Sequence, residues 1–251
     1  MRLDKWYYSN LESRRDKVYA QELVAAIQKF PPNVMERFPV AIENDKLLGT
    51  LDEICHLMSL DGFSQWDCDA VKQSHVNRTI LASNWTKLKM LRCVIESGQG
   101  AVLTSDNAYP VVPFEVIDET IASCPDDMNA LYLHWVADPH EDGIVAKHYK
   151  TLSEMKPTGI KGVLGGFRHI GWIAYWTPKG AQTFLDIWKQ NPHHDGQEVL
   201  FQAECDVQGF YACNPNLCLS IFDIPTIYGT EGVISECENL LVRKDKSWEM
   251  E

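Results

Sequence analysis

Hydrophobic and polar positions along the chain follow two alternating periods, one typical of strands and one typical of helices. Short apolar or aromatic runs predict strands at 6–8, 38–42, 101–104, 130–135, 170–176 and 210–212. Helical spacing of apolar positions predicts helices over 15–30, 69–97, 113–123, 178–188 and within 192–203. Because strands and helices alternate, we expect an α/β fold with a mixed, mostly parallel central sheet flanked by helices.

Polar residues, prolines and glycines mark the expected ends and interruptions of these elements. The long helix has a core-facing apolar stripe that two polar residues, Ser83 and Asn84, interrupt. Thr177 is the expected N-cap of the helix that begins at Pro178, because a hydroxyl can accept from the free N–H groups there. Turn residues dominate 136–167, which predicts mainly loop in that segment.

Length and composition are those of a packed globular domain. The 251 residues fit one domain, which we expect to span 1–243 before a flexible tail at 244–251. Hydrophobic residues make up 45% of the chain, enough to bury a core. The net charge of −12 argues against a generic nucleic-acid binder. It still allows a small anionic ligand in a local basic pocket.

Membrane and secretion signals are absent from the pattern. No segment approaches the roughly 18 consecutive apolar residues that cross a bilayer. Residues 1–17 are charged and lack the apolar core of a secretory signal. We therefore expect a soluble, cytoplasmic protein whose eight cysteines are mostly free, buried thiols. Their spacing offers no Cys-x-x-Cys pair of the kind that holds zinc.

The end of the first predicted strand carries the first candidate site. Asn10 follows the aromatic run, and Arg14 and Arg15 open the next helix. Free N–H groups at a helix start and guanidinium groups both bind phosphate, so this corner could bind an anion. The alternative is a solvated helix face, for which these residues are also typical.

The second candidate site follows the apolar strand 101–104. There Ser105, Asp106 and Asn107 offer a hydroxyl, a carboxylate and a carboxamide. Hard cations such as Mg²⁺ and Mn²⁺ take oxygen ligands of this kind and bridge phosphates. The alternative is an Asx turn that simply ends the strand.

The third candidate lies in the glycine-rich stretch 165–176. Glycines allow a ligand close to the backbone, and Arg168 and Trp172 could contact a sugar ring. The alternative is a loop that leads into a core strand with ordinary aromatic packing.

The fourth candidate is the polar segment 191–198. His193, His194, Asp195 and Glu198 offer metal ligands or a general base. The alternative is a polar turn in which Asp195 caps a helix.

Taken in order, these segments resemble one glycosyltransferase family, which contains the bacterial lipooligosaccharide galactosyltransferases and the collagen galactosyltransferases. The resemblance covers roughly residues 5–220. The order of the matching segments along the chain is more specific than any one of the motifs. The matching segments are the Asn-Leu turn with two arginines at 7–15, Ser74-His75, the strand and polar end at 102–108, the aromatic strand and turn at 172–181, Pro192 to Asp195, and 211–217.

The resemblance implies a GT-A-type fold, a nucleotide-diphosphate sugar donor such as a UDP-sugar, a Mn²⁺ or Mg²⁺ ion, and inverting transfer to a glycan or protein-linked hydroxyl. Asp195 would be the base, with Glu198 as the second choice. The implied donor-binding residues are Asn10, Arg14, Arg15, His75, Ser105 and Asp106. The implied metal ligands are Asp106, Asn107, His193 and His194, and the implied acceptor contacts are Arg168 and Trp172.

The acidic motif departs from the family pattern. The family has Glu-Asp-Asp where this chain has Ser105, Asp106 and Asn107, so two carboxylates are replaced by neutral oxygen ligands. Metal affinity is expected to fall, because fewer negative charges face the cation. Two alternatives therefore stay open: an inactive GT-A-like binding module, and a metal-dependent nucleotidyltransferase.

Overall fold

The computed structural model describes residues 1–11, 15–42, 49–63, 78–106, 108–134, 156–157, 163–165, 173–190, 209–213 and 216–220. Its strands are β1 Trp6–Asn10, β2 Met35–Pro39, β3 Ala101–Ser105, β4 Ala108–Pro110, β5 Ala130–Tyr132, β6 Lys156–Pro157, β7 Val163–Gly165, β8 Ala174–Trp176, β9 Phe210–Cys213 and β10 Cys218–Ser220. Its helices are α1 Arg15–Ile27, α2 Leu51–Leu60, α3 Arg78–Ser97, α4 Phe114–Ser123 and α5 Pro178–Gln190. Among these described helices, none has the length and apolar character needed to span a membrane.

The elements build the expected α/β fold with a mixed sheet. In the described residues, eight strands form one sheet in the order β2-β1-β3-β8-β5-β9-β7-β6. β1 is parallel to both β2 and β3, whereas β8 is antiparallel to its neighbours β3 and β5. Six of these eight strands run in the same direction. Only three of the seven pairings are parallel, because β8 and β7, which run the other way, each lie between two of the six. β4 and β10 form a separate antiparallel pair.

Apolar side chains are buried on both faces of the sheet. On β5, Ala130 and Tyr132 belong to the core cluster that includes residues of α2, α3 and α5. The alternate positions Leu131 and Leu133 belong to the cluster that includes residues of α1 and α4. A strand covered on both faces needs apolar residues at every position, which explains why 130–133 reads as an unbroken apolar run.

Helix α2 was not predicted, although its start carries a local signal. Thr50 and Glu53 form a capping box: the Glu53 amide donates to the Thr50 hydroxyl at 3.2 Å, and the Thr50 amide donates to the Glu53 carboxylate at 2.6 Å. Ile54, Cys55 and Met58 face the core at helical spacing. The pair Thr-x-x-Glu before this stripe marks the helix in the sequence.

The long predicted helix is confirmed from Arg78 onward: α3 continues through Ser83 and Asn84, where its apolar stripe is interrupted, and ends at Ser97. Leu81 and Leu88, on either side of the polar pair, are fully buried against the core. Tertiary packing therefore outweighs the low helix propensity of serine and asparagine. The part of the prediction before Arg78 lies outside the described residues.

The second strand begins three residues earlier than predicted, at Met35 rather than Phe38. It lies at the edge of the described sheet, paired on one side with β1. An edge strand buries little of its surface, so Glu36 and Arg37 occur within it and the apolar pattern does not mark its start. Proline has no amide hydrogen to donate. Pro39 is tolerated in β2 because one side of an edge strand has no partner strand that would accept such a hydrogen bond.

Helix α5 begins as predicted. The Gly180 amide donates to the Thr177 hydroxyl at 3.0 Å, which confirms Thr177 as the N-cap. Gly180 is buried and lies so close to Asn129 that an added Cβ would overlap the backbone carbonyl of Asn129. Close approach of the helix to the start of β5 therefore requires glycine at this position.

We expect Gly180→Ala to lower the free energy of unfolding by about 2 kcal/mol, as overpacked substitutions do. Alanine raises helix propensity by about 1 kcal/mol, but the overlapping Asn129 atoms belong to the backbone and cannot rotate aside. Urea unfolding measures the change. Lys179→Ala, at an exposed position on the same turn, is the control and should stay within about 0.5 kcal/mol of wild type. A Gly180→Ala protein as stable as wild type would contradict the argument.

Stability should fall at alkaline pH because several phenols are buried. Burial, with Asp4 and Asp118 nearby, raises the pKa of Tyr175 to about 12 from an ordinary value of about 10. The folded state therefore binds the phenolic proton more tightly than the unfolded chain. The contribution of Tyr175 to the free energy of unfolding is complete below pH 10 and is lost as the pH rises through 12. Tyr175→Phe should flatten the decline between pH 10 and 12 in urea unfolding curves, and an unchanged slope would contradict the assignment.

The described cysteines match the expectation of free thiols. Cys55, Cys124, Cys213 and Cys218 are buried, Cys93 is half-buried, and no disulfide joins any two of these five described cysteines. Burial raises the pKa of Cys124 to about 12, which keeps that thiol protonated.

Candidate functional site

The first strand, β1, has its two neighbours, β2 and β3, on opposite sides, so the order of the strands reverses at β1. From β1 the chain passes through α1 to β2 on one side, and it later enters the sheet again at β3 on the other side. Such a reversal of strand order opens a crevice beyond the carboxyl ends of the two strands, where α/β folds bind ligands. Both the first and the second candidate sites fall at this point.

A cleft with a volume of about 230 Å³ occupies the crevice. Its walls come from the end of β1, the segment after β2, the first half of α3 and the end of β3. The lining residues are Ser9, Asn10, Leu11, Val40, Ile42, Thr79, Ala82, Ser83, Thr86, Ser105 and Asp106. Complete small-molecule sites usually measure about 300–1,000 Å³. The cleft of described residues therefore fits part of a larger ligand.

Asn10 and Asp106 meet at the base of this cleft. The carboxamide Nδ2 of Asn10 donates to Oδ2 of Asp106 at 2.9 Å. Both side chains are buried, with 2% and 3% of their surface exposed. The contact follows from the register, because Ser9 pairs with Ser105 and Asn10 and Asp106 are the residues that directly follow this pair. Two candidate residues 96 positions apart are thus brought together.

Thr104, two residues before Asp106, joins β3 to β1 through hydrogen bonds of its side chain and backbone. Its hydroxyl accepts from Nε1 of Trp6 at 3.1 Å and donates to the Tyr7 carbonyl at 3.3 Å. The Ser9 hydroxyl donates to the Thr104 carbonyl at 3.4 Å. These bonds add to the strand ladder, so Asn10 and Asp106 project from a rigid base.

Arg37 was missed by the sequence reasoning. Its Nη2 donates to the backbone carbonyl of Asn10 at 2.8 Å. Arg37 pairs in register with Tyr8, whose hydroxyl donates to Glu22 at 3.2 Å. Burial and Glu22 raise the pKa of Tyr8 to about 12, and the nearby Arg37 charge opposes that rise. A cation inside an edge strand is the signal that could have identified it.

Thr86 was also missed, and it shapes the wall opposite the strand ends. Its buried hydroxyl donates to the Ala82 carbonyl at 3.1 Å and accepts from the Ala41 amide at 2.9 Å. These two bonds hold the segment after β2 against α3, which forms one side of the cleft. A threonine on the core-facing stripe of a helix gives little sign of this role in the sequence.

The remaining predicted site residues fall into two groups. Ser105 ends β3 and lines the cleft, and Arg15 begins α1, where only its backbone is described. The others lie outside the described residues and stay predictions. They are Arg14, His75, Asn107, Arg168, Trp172, His193, His194, Asp195 and Glu198.

The described residues fit a divalent cation only in part. Within the described ranges, no group of three or more His, Cys, Asp or Glu side chains could hold a metal ion. Asp106 is the one carboxylate among the described residues that line the cleft. Mg²⁺ is commonly held by one or two carboxylates together with substrate phosphates. Asp106 therefore suits a cation that a bound diphosphate helps to hold.

Comparison with known proteins adds no relative to this picture. No protein-family model matches the sequence, and the curated proteins contain no significant match to it.

Proposed function

We propose that the protein is a glycosyltransferase that moves a sugar from a nucleotide-diphosphate donor to a glycan or protein-linked hydroxyl, with inversion. The observation that carries the proposal is the hydrogen bond between Asn10 and Asp106 at the point where the strand order reverses. The resemblance links both residues to donor binding, and in the fold they share one cleft.

The lining of the cleft suits the polar half of such a donor. Ser9, Ser105 and Ser83 bring hydroxyl groups, and Asp106 brings an acceptor for ribose or sugar hydroxyls. Rigid strand ends hold three of these four residues, which favours a fixed orientation of the ligand.

The diphosphate of the donor needs positive charge, since the chain carries a net charge of −12. We assign that charge to Arg14, Arg15 and a Mn²⁺ or Mg²⁺ ion beside Asp106, with Asn107, His193 or His194 completing its ligands. The cation would stabilise the leaving diphosphate as the bond to the sugar breaks. His75 is assigned to the donor.

Inversion needs a base on the face of the sugar opposite the diphosphate. We assign this role to Asp195, with Glu198 as the second choice, and we assign the acceptor contacts to Arg168 and Trp172. These assignments come from the family resemblance and concern residues outside the described ranges.

One observation favours the inactive binding module as a second candidate. Asp106 is nearly fully buried and already accepts from Asn10, and its neighbours are a serine and an asparagine rather than acids. A cleft with one carboxylate could bind a nucleotide without promoting transfer. The nucleotidyltransferase alternative would use the same cleft for a nucleoside triphosphate.

A panel of nucleotides tests the proposal by thermal unfolding. UDP, GDP, CMP and ATP are compared with and without Mn²⁺, because a ligand that binds only the folded state raises Tm. At 100 times Kd the stabilisation is about 2.7 kcal/mol, or roughly 5–10 °C for a chain of this size. We expect UDP or GDP to raise Tm, more so with Mn²⁺. The proposal would be contradicted if ATP were the only nucleotide that raised Tm, or if none of the four nucleotides raised it.

A further inference from the structure

Two hydrogen bonds connect three neighbouring parallel strands, from the middle of β2 to the carboxyl ends of β1 and β3. Arg37 on β2 donates to the Asn10 carbonyl at the end of β1 at 2.8 Å. Asn10 in turn donates through Nδ2 to Asp106, directly after β3, at 2.9 Å. The path thus runs from an edge strand to the carboxylate in the cleft.

The two bonds act on different parts of Asn10. Arg37 contacts the backbone carbonyl, whereas Asp106 contacts the side chain. The direction of a carboxamide depends on where its own Cα is held, so a restraint on the carbonyl also restrains Nδ2. A guanidinium is a planar, permanently charged donor, which makes its bond to a carbonyl shorter and stronger than a neutral one.

We infer that Arg37 is a positioning residue of the cleft: its bond to the Asn10 backbone holds the Asn10 carboxamide in place for Asp106. Arg37 is not among the residues that line the cleft, so it acts through Asn10 rather than on the ligand. The choice of a nucleotide as probe rests on the proposed function, whereas the effect on Asn10 does not.

The matched control is Lys5, a cation that contacts the same pair of strands at the opposite end. Lys5 Nζ lies 2.6 Å from a carboxylate oxygen of Glu36, and both side chains are well exposed. Replacing Lys5 or Arg37 with methionine removes one cation from the β1–β2 pair in each case. Only the Arg37 change removes a contact to Asn10.

The first readout is the side-chain amide of Asn10 in ¹⁵N NMR spectra, assigned from the signal lost in Asn10→Ala. We expect Arg37→Met to shift or broaden this signal, Arg37→Lys to restore part of it, and Lys5→Met to leave it unchanged. An unchanged Asn10 signal in Arg37→Met would overturn the inference, whether or not any nucleotide binds.

The second readout is the Kd of UDP or GDP, whichever binds the wild type, measured with Mn²⁺ by calorimetry. Arg37→Met should weaken binding about tenfold, the size expected for one charge-assisted hydrogen bond. In the Asn10→Ala background the same change should have little further effect, because the two residues act in one path. Additive losses would overturn the inference. If neither UDP nor GDP binds the wild type, the proposed function fails, while the NMR result still decides the role of Arg37.

Discussion

The Asp106→Ala variant is expected to bind UDP or GDP in the presence of Mn²⁺ about 10- to 100-fold more weakly than the wild type, because a charged hydrogen-bonding group is lost. Asp106 is the one carboxylate among the described residues of the cleft, so its removal takes away both an acceptor and a negative charge for a cation. Calorimetric titration with and without Mn²⁺ measures the change.

Two further variants separate binding from folding in this experiment. Asp106→Asn keeps an oxygen that can accept from Asn10 but loses the charge, so we expect weak binding with little loss of Tm. Asp126→Asn changes an exposed carboxylate shortly before the start of β5, at the end of the parallel strands opposite the cleft, and should bind as the wild type does. Wild-type affinity in Asp106→Ala would contradict the proposed role.

The Trp176→Ala variant should lose about 3–5 kcal/mol of unfolding free energy, the usual cost of removing a buried tryptophan. Trp176 is fully buried on β8, between β3 and β5. Its ring lies 5.2 Å from that of Phe184 and 6.2 Å from that of Phe210, measured between centroids. Urea unfolding measures the loss, which is a large part of the 5–15 kcal/mol typical of a domain.

Leu60→Ala is the control for this prediction. Leu60 is 73% exposed near the end of α2, so its truncation should change the unfolding free energy by no more than about 0.5 kcal/mol. A loss below about 1 kcal/mol in Trp176→Ala would mean that β8 is not packed at the centre of the core.

The class of fold could be predicted because the central strands are covered on both faces. Burial from both sides demands apolar residues at every position, so 101–104 and 130–133 stand out in the sequence. The edge strand β2 is different, since it carries Glu36 and Arg37 and leaves much of its surface exposed. The start of β2 is set by its pairing with β1, and the apolar pattern of the sequence does not reveal that pairing.

Helix α2 was missed because exposed leucines lie among its buried residues and obscure the apolar stripe. Ile54, Cys55 and Met58 are its only buried residues among those described, and Leu57 and Leu60 remain exposed. Thr50 and Glu53 were the available signal, since a capping box is local and needs no tertiary contact.

Some residues of the described site could be predicted from the sequence and others could not. Asn10 and Asp106 each follow an apolar run, and polar residues at strand ends are where α/β folds bind ligands. Arg37 and Thr86 owe their roles to partners far along the chain, at Asn10 and Ala41. Such contacts depend on strand order and helix placement, which local patterns do not specify.

The most direct test of the account is the release of nucleoside diphosphate from a panel of UDP- and GDP-sugars with Mn²⁺, with the Asp106→Ala and Asp126→Asn variants measured in parallel. We expect release from at least one sugar nucleotide by the wild type and by Asp126→Asn, and loss of that release in Asp106→Ala. Release that is the same in all three proteins, or turnover of ATP with no turnover of any sugar nucleotide, would contradict it.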